Sequence, residues 1–273
     1  VSIALQNKAR IIRPGRNLRE KALQLSLIDP LGNAALIADL TQLYADCSIL
    51  LKIYDNNPVS LIGYYRDLPF HSISLIADSL TDIHELFEEM LNIHPELGDD
   101  NIFGLFTNRL ACLIGESFDD VEALSELQMV LSNNDIPDIP FDTTQYRLER
   151  LGAPDLVQIS HLYSLVPAMA WTPKTLTYGP CYGIYYGDML VSIAGVHFST
   201  KWAAEIGNIV THPKHRRLNL AYACTKAVAD DLRGTTENIF LCVMSDNTPA
   251  IRLYEKMGFV THQELFLTRF RIK

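Results

Sequence analysis

Residues 204–232 read AEIGNIVTHPKHRRLNLAYACTKAVADDL. The apolar residues of 203–212 (AAEIGNIVTH) predict a strand, and Leu220, Ala223, Cys224, Ala227 and Val228 fall on one side of a helix spanning Leu220–Leu232. Between them lies a short loop marked by Pro213 and crowded with Lys214, His215, Arg216 and Arg217. The first turn of a helix carries backbone N–H groups without internal partners, at the positive end of the helix dipole. Such a helix mouth, ringed by cationic side chains, suits a phosphate or pyrophosphate.

Arg216-Arg217-Leu218-Asn219-Leu220-Ala221 resembles the pyrophosphate loop of the GNAT superfamily of acetyl-CoA-dependent N-acetyltransferases, written Q/R-x-x-G-x-G/A. Arg216 fills the first position and Ala221 the last; Asn219 stands where the family has its middle glycine. Glycine serves there because backbone approaches phosphate closely and takes positive φ, and asparagine is among the better substitutes at positive φ. Further along, SDNTPAIRLYEKMGF (245–259) resembles the family's later motif, an Asn near a helix start and a Tyr before Gly-Phe. Thr248 is expected to cap this helix, with Pro249 at its first position and Gly258 just past its end.

The resemblance covers almost all of residues 141–273 and implies the following expectations. The fold is an acyl-CoA N-acyltransferase fold, α/β (α+β), with a mixed, largely antiparallel twisted sheet and flanking helices. Acetyl-CoA lies in a cleft between two splayed strands, about 203–211 and 239–245. The cofactor-binding set is Ile209, Val210, Thr211, Lys214, Arg216, Arg217, Leu218, Asn219, Leu220, Ala221, Tyr222 and Asn247. The Ile209 N–H is the expected donor to the thioester oxygen, Tyr254 the general acid at sulfur, and Glu205, four residues before Ile209, the general base. The implied reaction moves an acetyl group to a primary amine, borne by a small molecule or a peptide. A CoA-binding regulator without turnover and an N-acyltransferase using another acyl chain, as in glycine N-acyltransferase-like relatives, stay open as alternatives.

Around these motifs, YRLERL (146–151) predicts a strand, 154–165 a helix, CYGIYYGDMLVSIAGVHF (181–198) a hairpin turning at Gly187-Asp188, IFLCVMS (239–245) a buried strand and HQELFLTRF (262–270) a final one. Trp171, Tyr182, Tyr185 and Tyr186 either pack a core or line the acceptor pocket. SNNDIPDIPFDTTQ (132–145), rich in Asp, Asn and Pro, reads as a boundary, so we expect a first domain at 1–140 and a second at 141–273. In the first half, residues 23–44 suggest two helices broken at Pro30 and Gly32. Runs 48–55, 58–67 and 71–78 form an antiparallel meander with a turn at Asp55-Asn56-Asn57-Pro58. TDIHELFEEMLNIHPE (81–96) has helical spacing, and 101–108 and 125–132 read as strands. The order of elements echoes the second half, which suggests a tandem duplication. This half has no Arg-x-x-Gly loop, so it is expected to be a degenerate GNAT-like domain that has lost its cofactor.

Of the 273 residues 48% are apolar and 20% charged, the balance of a globular protein with a real core. The net charge of −9 is uneven: residues 141–273 hold 14 Lys and Arg against 11 Asp and Glu, the remainder 9 against 21. Such an acidic chain argues against nucleic acid as a partner. No apolar run approaches a membrane span, the N-terminal residues lack the order of a signal peptide, and the five scattered cysteines form no CxxC pair. These features suggest reduced thiols, no metal, no membrane, a cytoplasmic location, and a monomer or homodimer. The lack of a G-x-G-x-x-G after a strand argues against a nicotinamide enzyme.

Overall fold

A computed structural model describes residues 9–132 and 135–272. In chain order the elements are β1 (Arg10–Ile12), α1 (Arg16–Ser26), α2 (Ala34–Leu40), β2 (Cys47–Tyr54), β3 (Asn57–Tyr65), β4 (His71–Ile76), α3 (Leu80–Ile93), β5 (Ile102–Thr107), α4 (Asn108–Ser117) and β6 (Asp119–Leu131). There follow β7 (Tyr146–Arg150), α5 (Leu156–Leu165), β8 (Tyr182–Tyr186), β9 (Met189–Ser199), β10 (Ala203–Thr211), α6 (Leu220–Leu232), β11 (Asn238–Met244), α7 (Thr248–Lys256) and β12 (Phe259–Arg271).

The chain forms two compact units, Val1–Ser125 with Leu265–Lys273, and Glu126–Glu264. The first has strand order β1-β2-β3-β4-β5-β12, antiparallel except for β4–β5. The second has order β7-β8-β9-β10-β11-β6, antiparallel except for β10–β11. The two orders are the same arrangement: a four-strand meander, a fifth strand parallel to the fourth, and a sixth antiparallel to the fifth. In each unit the sixth strand comes from the other half of the sequence, as Leu265–Phe270 pair with β5 and Glu126–Val130 with β11. The compact units thus divide the chain differently from a split between residues 140 and 141. The Asp- and Pro-rich stretch is a break in the chain's regular structure, but strand pairing, not composition, decides which residues share a core.

In the first unit β2 shows why both faces of the sheet are buried. Ile49, Leu51 and Ile53 pack with Leu36, Leu40 and Ala22 of α1 and α2. Leu50, on the alternate face, joins Ile83, Leu86, Phe87 and Met90 of α3 and Leu110, Ala111 and Ile114 of α4. Asp55 and Asn56 both take positive φ, 51° and 59°, at the β2–β3 turn, the geometry of a two-residue hairpin loop. In the second unit Leu190, Ile193 and Val210 pack against Ile159, Leu162 and Tyr163 of α5. The β8–β9 hairpin turns at Gly187, φ 59°. Among the described residues no helix is long and apolar enough to cross a membrane.

Candidate active site

Strands β10 and β11 pair in parallel only at Ala203–Asn238, Ala204–Ile239 and Glu205–Phe240. Beyond that point β10 stays with β9 and β11 with β6, so the fourth and fifth strands part. The fourth and fifth strands thus diverge after three paired positions. The same parting occurs in the first unit, where β4 and β5 pair only at His71–Ile102 and Ser72–Phe103.

Two irregularities shape the wall formed by β9 and β10. The register moves from Glu205–Phe198 to Ile206–Val196, which leaves His197 as an extra residue on β9. It moves again from Gly207–Gly195 to Val210–Ile193, which leaves an extra residue on β10 at Asn208–Ile209. Asn208 takes φ 55° at this second bulge. A bulge bends its strand and releases a residue from the ladder, here at Asn208–Ile209. Tyr163 of α5 donates its hydroxyl to the Asn208 carbonyl at 2.8 Å, and Trp171 packs on Tyr163 with ring centres 4.9 Å apart. Of the four aromatics singled out in the sequence, Trp171 therefore stands beside the bulge. Tyr182 bonds Asp231, Tyr185 bonds Asp155, and Tyr186 packs near His215.

Past β10 the chain makes a 3-10 turn at Pro213–His215 and enters the basic loop. Arg217 and Asn219 both take left-handed backbone, φ 62° and 60°. Positive φ at Asn219 is the conformation its alignment with glycine predicts. Asn219 is the N-cap of α6, yet its side chain caps nothing; its amide donates to the Pro140 carbonyl at 3.1 Å. The start of this 13-residue helix thus has no side-chain cap, and Lys214, Arg216 and Arg217 before it are exposed. Leu218 is also exposed, and Leu220 and Tyr222 are buried, with the Tyr222 hydroxyl donating to the Pro137 carbonyl at 2.6 Å. Arg216 Nε donates to the Thr211 carbonyl at 3.3 Å, which ties the loop to the strand end. Thr211 shares a hydroxyl hydrogen bond with Ser192, 2.8 Å, and Val210 is buried in the core. Burial and the nearby His212 and Lys214 hold His215 below the usual histidine range; its Nδ1 lies 2.9 Å from the Tyr146 hydroxyl.

The corresponding helix mouth in the first unit is closed. Only Ala77, Asp78 and Ser79 separate β4 from α3, and the Ser79 side chain accepts from the Asp82 N–H. Asp82 in that first turn is itself engaged by Lys52, at 2.6 Å. A capped, acidic helix start opposes an anionic ligand.

Tyr254 on α7 is buried, and that burial pushes its hydroxyl up to about 12. The group is therefore a protonated donor across the physiological range. The helix cap differs from the sequence expectation: Asn247 is the N-cap, its side chain accepting from Ala250 N–H at 3.4 Å, while Thr248 and Pro249 occupy the first two helical positions. Asn247 wins because an amide oxygen at N-cap reaches the N3 amide as a serine or threonine would. Gly258 takes φ 92° after the helix, as its C′ position requires.

Glu205 is nearly buried and lies 3.2 Å from His197 Nδ1. The Cys242 thiol of β11 hydrogen-bonds the same carboxylate, and burial first, then the charges of Glu205 and Glu126, push that thiol well above its ordinary value. Burial and the Glu205 charge raise the Glu126 carboxyl to about 7. Burial lowers His197, but Glu205, the Asn208 side chain and Glu126 outweigh it and leave the imidazole raised. His197, Glu126 and Asn208 were not picked out from sequence. The available signal was Gly207-Asn208 inside a strand, since glycine in a strand interior marks a bulge or a close approach.

The splayed fourth and fifth strands, the bulge and the basic loop, set in two copies of one topology, make a fold that this chain shares with solved GNAT-family acetyltransferase structures. Residues 181–267 match a family model described as FR47-like protein. The chain is similar in structure to a GCN5-related N-acetyltransferase from Sphaerobacter thermophilus, at 13% identity and TM-score 0.64, over 97% of this chain and 96% of that one. It is similar to a tandem GNAT protein from the clavulanic acid biosynthesis pathway, at 12% identity and TM-score 0.64, over 96% and 98%. It is also similar to a Drosophila protein, at 15% identity and TM-score 0.70, over 96% and 99%. No curated protein sequence matches the chain.

Proposed function

We propose that the second unit transfers an acetyl group from acetyl-CoA to a primary amine, and that the first unit binds no CoA. The observation that carries this reading is the uncapped α6 mouth, approached through two left-handed residues, directly after a strand that bulges at Asn208–Ile209. In this reading the loop N–H groups with Lys214, Arg216 and Arg217 hold the diphosphate. Ile209, Val210 and Thr211 line the pantetheine and thioester, and Asn247 borders the arm from α7. The acceptor's ammonium gives one proton to Glu205. The free amine nitrogen then bonds the thioester carbon while the Ile209 N–H receives the developing oxyanion, a contribution of roughly 3 kcal/mol for one such donor. The C–S bond breaks, Tyr254 protonates the thiolate, and the proton shed by nitrogen as the amide forms restores the tyrosine.

Calorimetry with CoA and with acetyl-CoA, followed by thiol release and mass spectrometry over a panel of primary amines, tests the proposal. Micromolar binding with a 42 Da gain on an amine is the expected result. Absence of CoA binding would remove it, and transfer of only longer acyl groups would replace acetyl by another chain.

A further inference from the structure

The His197 ring occupies the space that a side chain at residue 207 would need: a methyl group on Gly207 would collide with it. From that notch the imidazole meets Glu205 through Nδ1 at 3.2 Å and also hydrogen-bonds the side chain of Asn208. Three residues in and beside β10's irregular stretch thus each have a part in placing one ring. Glu205 lies just before it, Gly207 leaves room, and Asn208 is the left-handed residue of the bulge. His197 reaches this place because it is the extra residue of β9's own bulge, and bulges re-aim side chains in this way.

We propose that His197 is a positioning residue for acyl transfer, tying the Glu205 carboxylate to the Asn208–Ile209 bulge so that base and oxyanion donor keep one mutual geometry. The inference rests on the acyltransfer reading for its catalytic consequence, but the tie itself is a property of this chain. A base that drifts relative to the thioester loses rate steeply, since displacements of about 1 Å can cost on the order of 100-fold. The charged groups acting on the ring are Glu205 from β10 and Glu126 from β6, and the Cys242 thiol of β11 shares the Glu205 carboxylate.

The test uses the full chain. First, the His197 imidazole is titrated by NMR in the unaltered protein and in Glu205→Gln. We expect its midpoint to fall by about one unit or more in the variant, the scale typical of losing an adjacent charge; an unmoved midpoint would overturn the tie. Second, His197→Gln, His197→Ala and Gly207→Ala are assayed with acetyl-CoA and whichever amine of the panel is turned over. We expect kcat to fall about tenfold in His197→Gln and further in the other two, on the scale of displacing a catalytic group, with CoA affinity within about twofold. The acid limb of kcat/KM should move to higher pH once the cation is gone. Unchanged kcat and an unchanged profile would overturn the proposal. If His197→Ala does not fold, Glu205→Gln and His197→Gln decide it. If the unaltered protein binds no CoA, the acyltransfer reading fails, and the NMR titration still decides whether the tie exists.

Discussion

Asn219 stands in left-handed backbone and spends its side-chain amide on the carbonyl of Pro140, 3.1 Å away. The residue that stands in place of the motif's glycine therefore keeps glycine's conformation, and its added amide is held by the Pro140 carbonyl. Replacement by glycine should leave CoA affinity within about threefold. Asn219→Val should lower stability by about 1–2 kcal/mol, because a β-branched residue is costly at positive φ. Denaturant midpoints together with CoA titration check both, and a Val variant as stable as the parent would contradict the loop geometry.

Arg216 and Arg217 lie exposed at the α6 mouth. Arg216→Ala should weaken CoA binding by roughly tenfold, on the scale of one lost charge-assisted contact of 1.5–3 kcal/mol tempered by exposure. The loss should shrink as salt rises from 0.05 to about 0.5 M. An affinity indifferent to both changes would place the phosphates elsewhere.

Tyr254, pushed up to about 12 by burial, should act as a proton donor and contribute little to holding the cofactor. Tyr254→Phe is expected to lower kcat by about 100-fold, in the range of general-acid effects, with CoA affinity nearly unchanged. Because the group stays protonated to about 12, it should produce no alkaline fall in rate below pH ~10. Full-rate turnover by the Phe variant would rule out the acid role.

Stability should decline from acid to neutral pH. Glu126 is raised from 4.5 to about 7 and Asp39 from 3.8 to about 6, both chiefly by burial. A carboxyl raised in the folded state binds its proton there while the unfolded chain has already released it. Its stabilising share is full below the unfolded value and disappears as pH rises through the folded one. The shift at Glu126 corresponds to at most about 3 kcal/mol. Urea midpoints measured from pH 4.5 to 7.5 should fall less steeply in Glu126→Gln; an identical slope would mean that Glu126 is not perturbed.

The elements with strong periodicity were legible before any coordinates: α6 is Leu220–Leu232 as read, and the meander β2–β3–β4 and the Gly187 turn stand where expected. Local chemistry decides these, because turn residues and burial patterns act within a few positions. Helix α4 escaped the reading, and so did the cap at Asn247, which competes with its neighbour Thr248. His197 and Glu126 were invisible for another reason. A histidine in an apolar strand and a glutamate in an acidic stretch look ordinary until a bulge and a strand pairing, set by residues far off in sequence, bring them beside Glu205.

The crossing-over of the sixth strands gives the gene an interlocked product. A fragment ending at residue 140 would lack the β12 segment that completes its sheet and would carry a β6 with no β11 to pair against, leaving edges open to aggregation. Neither half of the sequence carries a complete six-stranded order of its own.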